Sequence, residues 1–199
     1  MLLASNVKMS FQEDLVYIEK TLKGDMNAFG LLIQKHEKYA YTLALRIVKN
    51  PEEAEEVAQD AFLKVYHCLK TFEQKSKFTT WLYKIIYHEA LGSLRKSKKF
   101  IVQLEEIPEF EEYQIDYLDG LNSMHIEERN HLIRKALNNI KPSESVVLTL
   151  FYLKEQSIKE IEEITLFSES QVKILLHRGR KHLLESLKKI SNQELINLL

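Results

Sequence analysis

Three groups of side chains in this 199-residue sequence have the types and spacing to do chemistry, and in each case the chemistry is recognition. Placed at 100° steps on a helix, Lys84, His88 and Arg95 share a stripe about 40° wide, with Trp81 and Ile85 at its border, and Lys96 follows Arg95 in the same basic run. Cations beside aromatic rings suit single-stranded nucleic acid, because ammonium and guanidinium groups meet phosphate while rings stack on unpaired bases. The second group is acidic. Glu52, Glu55, Glu56, Gln59 and Asp60 fall opposite the apolar Ala54, Val57, Ala58, Ala61, Phe62, Val65 and Leu69. No Lys or Arg lies between residues 52 and 60 to form an i,i+4 pair, so this face favours an external cationic partner. The third group follows a short turn: Ser168, Ser170, Gln171, Lys173, His177, Arg178, Arg180 and Lys181, on a helix whose other side is Val172, Leu176, Gly179, Leu183 and Leu187. A helix apolar on one side and lined with Ser, Gln, Lys and Arg on the other is what reading a DNA major groove requires.

Pattern alone also allows plainer readings. The acids can be a solvated face whose N-terminal members complement a helix dipole. Trp81 and the nearby tyrosines can be core, and the last segment can be a basic surface hairpin. An enzyme is disfavoured: the sequence has no phosphate-binding loop and no Cys/His cluster, and His177 and His182 are five apart, off a common helix face. No catalytic residue, metal, cofactor or small-molecule substrate is therefore expected. Cys68 is the single cysteine, which excludes a disulfide framework or a thiolate zinc site.

These groups need helices to hold them, and the rest of the chain reads as helix. Five Gly and three Pro in 199 residues are too few for a turn-rich sheet protein. Apolar spacing predicts helices over 12–24, 26–49, 51–70, 78–99, 128–140, 143–154, 157–165 and 169–188. Pro51 and Pro142 sit where a first helical residue needs no amide hydrogen, and Ser143 to Ser145 read as a polar cluster at a helix start. The fold class expected is all-α: two small helical domains over 12–100 and 128–190, an acidic linker over 101–127, an N-terminal extension of 1–11 and a C-terminal tail of 191–199. From Ile101 to Glu128 there are nine acidic residues and no Lys or Arg. The net charge of −1 is thus a sum of opposed blocks. No apolar run approaches the ~20 residues of a membrane helix, so a cytoplasmic protein without membrane insertion is expected.

The order of motifs resembles a two-domain sigma factor of the extracytoplasmic-function class, over nearly all of residues 14 to 190. Asn50-Pro-Glu-Glu-Ala-Glu-Glu-Val-Ala-Gln-Asp-Ala-Phe62 is similar to region 2.2 of that family. Phe78-Thr-Thr-Trp-Leu-Tyr-Lys-Ile-Ile-Tyr-His-Glu-Ala-Leu91 resembles the Phe-x-x-Trp-Leu run of regions 2.3 and 2.4. Ile140 to Leu148 and the segment ending Leu-His-Arg-Gly-Arg-Lys181 resemble region 4. The resemblance implies that Glu52, Glu55, Glu56, Gln59 and Asp60 contact core RNA polymerase, and that Trp81, Lys84, His88, Arg95 and Lys96 melt and read the −10 element. A base would be extruded beside the loop from Thr71 to Lys77. Ser168 to Lys181 would read the −35 element, and an anti-sigma protein would be a further partner. The linker, at ~3.3 Å per residue, reaches roughly 90 Å, more than the ~70 Å between promoter elements two helical turns apart. Departures from the family pattern fall at His88, where many members have Asn, at Glu162 (often Ala), at Leu166 (often Gly) and at Leu175 (often Arg). The competing reading is a stand-alone helix-turn-helix regulator, which would need only residues 128–190.

Overall fold

A computed structural model describes residues 2–96 and 126–197, with side chains described for 12–96 and 128–191. The acidic linker of 101–127 lies outside the described residues. Every described element is helical: α1 (Leu2–Leu22), α2 (Met26–Val48), α3 (Pro51–Cys68), α4 (Phe78–Lys96), α5 (Ile126–Asn139), α6 (Pro142–Leu148), α7 (Ile158–Thr165) and α8 (Glu169–Asn197). The chain divides into two compact units, one built on α1 to α4 and one on α5, α6 and α8 with the start of α7. No described helix is long and apolar enough to cross a membrane.

Local chemistry sets the helix limits. Gly24, at φ 97°, takes the left-handed turn after α1 that side chains resist, and Asp25 then caps α2 by accepting from the amides of Asn27 and Ala28 at 3.0 and 3.2 Å. Asn50 Oδ1 accepts from the Glu53 amide at 2.9 Å, and Pro51 follows at the first helical position, as its missing amide hydrogen predicts. Ser157 with Glu160 and Ser168 with Gln171 close reciprocal capping boxes at the starts of α7 and α8.

In the first unit α1 packs on α2, and α2 and α3 both pack on α4. Phe78, Leu82 and Ile86 of α4, Leu32 of α2 and Val65 of α3 are fully buried. A polar tie runs through this packing: the buried Asp14 of α1 lies 3.1 Å from His36 Nε2 and 2.7 Å from Lys35 Nζ on α2. Burial opposes the Lys35 charge, but its hydrogen bonds to Asp14 and Glu13 outweigh that and hold its pKa above the ordinary lysine value. The His36 ring meets Phe78 edge-on at 5.6 Å, so the tie supports the start of α4.

In the second unit α8 crosses α5 and α6, burying Leu132, Ala136 and Ile190 with Leu183 and Leu187 against them. Three boundaries differ from the periodicity. α1 begins at Leu2 and α8 runs to Asn197, so the expected extension and tail are helical in part. The single helix expected over 143–154 is instead α6 to Leu148 followed by a π-turn over Thr149–Leu153. Ser143 to Ser145 do not form a solvent-facing cap. Glu144 and Ser145 are buried, with Ser145 Oγ donating to the Leu137 carbonyl at 2.8 Å.

Leu166, in the turn between α7 and α8, has φ 62° and is 65% exposed. An L-residue in this region is strained by about 1–2 kcal/mol, and glycine is not. Leu166→Gly is therefore expected to raise the melting temperature by a few degrees, a gain of about 0.5–1 kcal/mol after the extra unfolded-state entropy of glycine. Thermal unfolding checks this; a lower melting temperature would mean that Leu166 contributes packing its exposure does not suggest.

Candidate polymerase and nucleic-acid interfaces

α3 separates two chemistries by rotation alone. Its apolar residues Ala54, Val57, Ala58, Ala61, Phe62 and Val65 are buried, while Glu52, Glu55, Glu56, Gln59 and Asp60 are all exposed. The structure thus brings every acid expected on this face to one surface. It adds two residues that the acidic pattern did not single out: Leu63 and Tyr66, 61% and 41% exposed, continue the stripe of Glu52, Glu56 and Gln59 toward the end of the helix. A signal for them was present, because both fall at helical spacing from Gln59 on the side away from the core. The Tyr66 ring packs on Phe29 at 5.1 Å, which holds it in place.

On α4 the inner face is core to its full length. Leu82, Tyr83, Ile86, Ala90 and Leu94 are buried as expected, together with Phe78, Thr80 and Tyr87. Burial pushes the Tyr87 phenol up to about 12, and burial with Tyr39 and Asp14 nearby raises Tyr83 as well, so both rings are core groups unsuited to stacking on bases. Lys84, Arg95 and Lys96 are exposed and His88 is half-buried. The His88 pKa is lowered by burial first and then by Lys84, Lys64 and Arg95, with Glu89 opposing, so these surroundings favour the neutral form of the imidazole. Lys64 of α3 joins this group through its ion pair with Glu89.

Trp81 is partly core. Its half-buried ring packs against Phe72 at 5.4 Å and Phe78 at 5.9 Å, and Phe72 meets Phe78 at 5.6 Å. This aromatic tier anchors both ends of the segment from Thr71 to Lys77. Within it Gln74 has φ 56°. Gln74 also lines an open cleft of about 340 Å³ with Leu15, Val16, Ile18, Glu19 and Leu22 of α1. Gln74 was missed by periodicity because loop residues carry none.

In α8 Val172 and Leu176 are buried and Lys173 and Lys181 exposed, with Gln171, His177, Arg178 and Arg180 between these extremes. Ser168, Ser170 and Gln171 double as helix-start residues: Ser168 Oγ lies 3.1 Å from Ser170 Oγ, and the Gln171 side-chain oxygen accepts from the Ser168 amide at 2.8 Å. Lys173 pairs with Glu169 at 2.7 Å across an exposed turn, a contact weak enough in water for phosphate to replace. Arg180 Nη1 donates to the Tyr152 hydroxyl at 3.2 Å. Arg178 reaches inward, its Nε 3.7 Å from the buried Glu144 carboxylate, whose second oxygen lies 2.7 Å from His182 Nδ1. Gly179 lies between these two partners. A Cβ there would stand 3.0 Å from Leu148 Cδ1 and 3.2 Å from Glu144 Cβ, so the glycine permits the close crossing of α8 over α6. Among the described residues no three His, Cys, Asp or Glu side chains gather as a metal site.

Comparison with known proteins agrees with this layout. Residues 32–100 match Sigma-70 region 2 and residues 130–183 match Sigma-70 region 4. The chain is 30% identical over 177 residues to the ECF RNA polymerase sigma factor SigW of Bacillus subtilis, covering 86% of this chain and 95% of that protein. It is 28% identical over 174 residues to the ECF RNA polymerase sigma-E factor of Escherichia coli K12, covering 84% and 91%. Its fold is similar to that of the sigma factor RpoE of Bartonella quintana, solved with the anti-sigma factor NepR, at a TM-score of 0.60 and 21% identity over 80% of this chain and 96% of that one. With an acid-faced helix, a cation-striped helix and a helix-turn-helix in this order, the chain belongs to the sigma-70 family of RNA polymerase initiation factors, in its extracytoplasmic-function class.

Proposed function

We propose that this sigma factor divides promoter-directed initiation among three exposed faces and two domains, region 2 over 12–100 and region 4 over 128–190. Glu52, Glu55, Glu56, Gln59 and Asp60 of α3 dock on a basic surface of core RNA polymerase, with Leu63 and Tyr66 as apolar anchors at the end of an acidic stripe. Lys84, His88, Arg95 and Lys96 of α4 hold the phosphates of the opened −10 strand, and an unpaired base enters the cleft beside Gln74, whose amide offers both a donor and an acceptor. Trp81 supports that loop from beneath and presents its exposed edge to the strand. Ser168, Ser170, Gln171, Lys173, His177, Arg180 and Lys181 of α8 face the −35 element, while Arg178, expected among them, turns inward to Glu144 and leaves only part of its side chain exposed. The factor makes and breaks no covalent bond and works in the cytoplasm with polymerase and DNA. An anti-sigma protein is inferred as a further partner, by analogy with the complex of the Bartonella relative.

The observation that carries this reading is the presence on one chain of an exposed acidic face and two cationic faces, each backed by an apolar side of its own helix that packs into the core. A factor that must hold polymerase and DNA together uses all three. A stand-alone regulator leaves two of them idle. Transcription by core polymerase and this chain from a library of random promoters is the test: a selected pair of elements spaced two helical turns apart is expected, and a selected site that works without added chain, or none at all, would sink the proposal.

His88→Ala gives a finer check. Its removal is expected to slow strand opening about tenfold, the order of one lost base or phosphate contact, while binding to closed duplex is kept. A template already melted at the −10 element should restore most of the loss. No restoration would assign His88 to packing.

A further inference from the structure

Among the described residues of the C-terminal unit, Glu144 is the only buried acid, its side chain 1% exposed. A carboxylate in that position is costly to desolvate, and an apolar residue of similar volume would fill the space as well. Both of the basic side chains that approach it come from α8. His182 Nδ1 lies 2.7 Å from one carboxylate oxygen and Arg178 Nε 3.7 Å from the other. They are four residues apart, one helical turn, with Gly179 between them letting the backbone of α8 approach. The hydrogen bond to His182 fixes one point of α8, and the second oxygen, buried without a hydrogen-bond partner, faces Arg178 one turn away, so together they constrain the helix in both rotation and axial slide. Arg178 keeps 30% of its side chain exposed, so the residue that approaches Glu144 also reaches the surface of the unit.

We propose that Glu144 is a positioning residue for −35 recognition: through His182 and Arg178 it sets the rotation and register of α8, and with them the line of Lys173, His177 and Lys181 along the major groove. This rests on the reading of α8 as the −35 element's reader. The signal is specific to distance in sequence: Glu144 and His182 are 38 residues apart and meet only in the fold.

The test separates positioning from stability. In holoenzyme made with the full chain, Glu144→Leu combined with His182→Leu replaces the buried polar pair by packing groups. The melting temperature is expected to stay at or above that of the parent, because such pairs are readily replaced by apolar residues. Affinity for the selected promoter is expected to fall about tenfold, the scale of one good contact in the groove, and single-base changes in the −35 element should discriminate less than with the parent. Glu144→Gln, which keeps an acceptor for His182 but not the charge facing Arg178, should fall between the two. A folded double variant with the parent's −35 discrimination would overturn the proposal. If the double variant does not fold, Glu144→Gln decides alone, and full discrimination by it overturns the proposal equally. Lys173→Ala is the companion variant: if it leaves −35 binding intact, the reading of α8 fails; if it weakens binding while the Glu144 variants do not, only the positioning role fails.

Discussion

Glu56→Lys combined with Asp60→Lys is expected to abolish co-purification with core RNA polymerase while the circular dichroism spectrum remains that of the parent. Both side chains are exposed on α3, and the buried side of the helix is made by other residues, so the substitutions leave the core untouched. Neither lies in the first turn, where Glu52 and Glu53 complement the helix dipole, so helix stability changes little. The effect at the interface is larger. Where a cationic surface meets this face, each reversal replaces attraction with like-charge repulsion, and such juxtapositions cost several kcal/mol. Two together are expected to weaken binding by a factor of about 100 or more, on the order of 3 kcal/mol. Pull-down of polymerase by the full chain, at low and moderate salt, measures it. Unchanged recovery would remove α3 from the polymerase contact and return its acids to the status of a solvated face.

The second large effect lies in the other unit. Gly179→Leu is expected to unfold or loosen the crossing of α8 over α6, with a loss of about 3 kcal/mol, at the upper end of what overpacking produces. The first added carbon already stands 3.0 Å from Leu148 Cδ1 and 3.2 Å from Glu144 Cβ. A terminal methyl can swing aside, but the Cβ of Glu144 sits on the backbone and its carboxylate is tied to His182. Gly179→Ala should therefore come out close to neutral, the ~1 kcal/mol gain in helix propensity offset by this crowding. The longer side chain has no such compensation. Because the face proposed for polymerase is in the other unit, Gly179→Leu should still co-purify with polymerase while failing to direct it to the selected promoter. Thermal unfolding and promoter-directed transcription, measured side by side, distinguish this from a general loss of the protein.

What could be read from the sequence follows the range over which residues act. Ala54 to Val65 and Leu82 to Leu94 have their burial written in a 3.6-residue rhythm, and the structure buries those residues. Pro51 and Asn50 mark a helix start within three residues, and both serve there. Glu144 defeated this reasoning. Two residues after a helix-starting proline and flanked by serines, it reads as a solvent-facing group, and its burial depends on His182 and Arg178 from a distant stretch of chain. Trp81 was ambiguous for a related reason. A border position on a helical wheel does not say whether the next loop will cover it, and here Phe72 covers it in part. The end of α6 was overestimated because a π-turn keeps much the same apolar spacing as a helix over a few residues. The cleft at Gln74 comes from a loop facing α1, a juxtaposition that periodicity does not encode.

The acids of α3 and the cations of α4 belong to neighbouring helices of one unit, each set on its own exposed face. Opposite charges held on separate faces of one packed unit give it a permanent electric dipole moment, and in the field of a large charged partner a dipole feels a torque as well as a pull. A sigma factor drifting toward polymerase would thus be turned before it touches, arriving acid face first. The alignment acts over roughly a Debye length, about 8 Å at physiological salt, so it should show in the association rate at low salt and fade as salt is added.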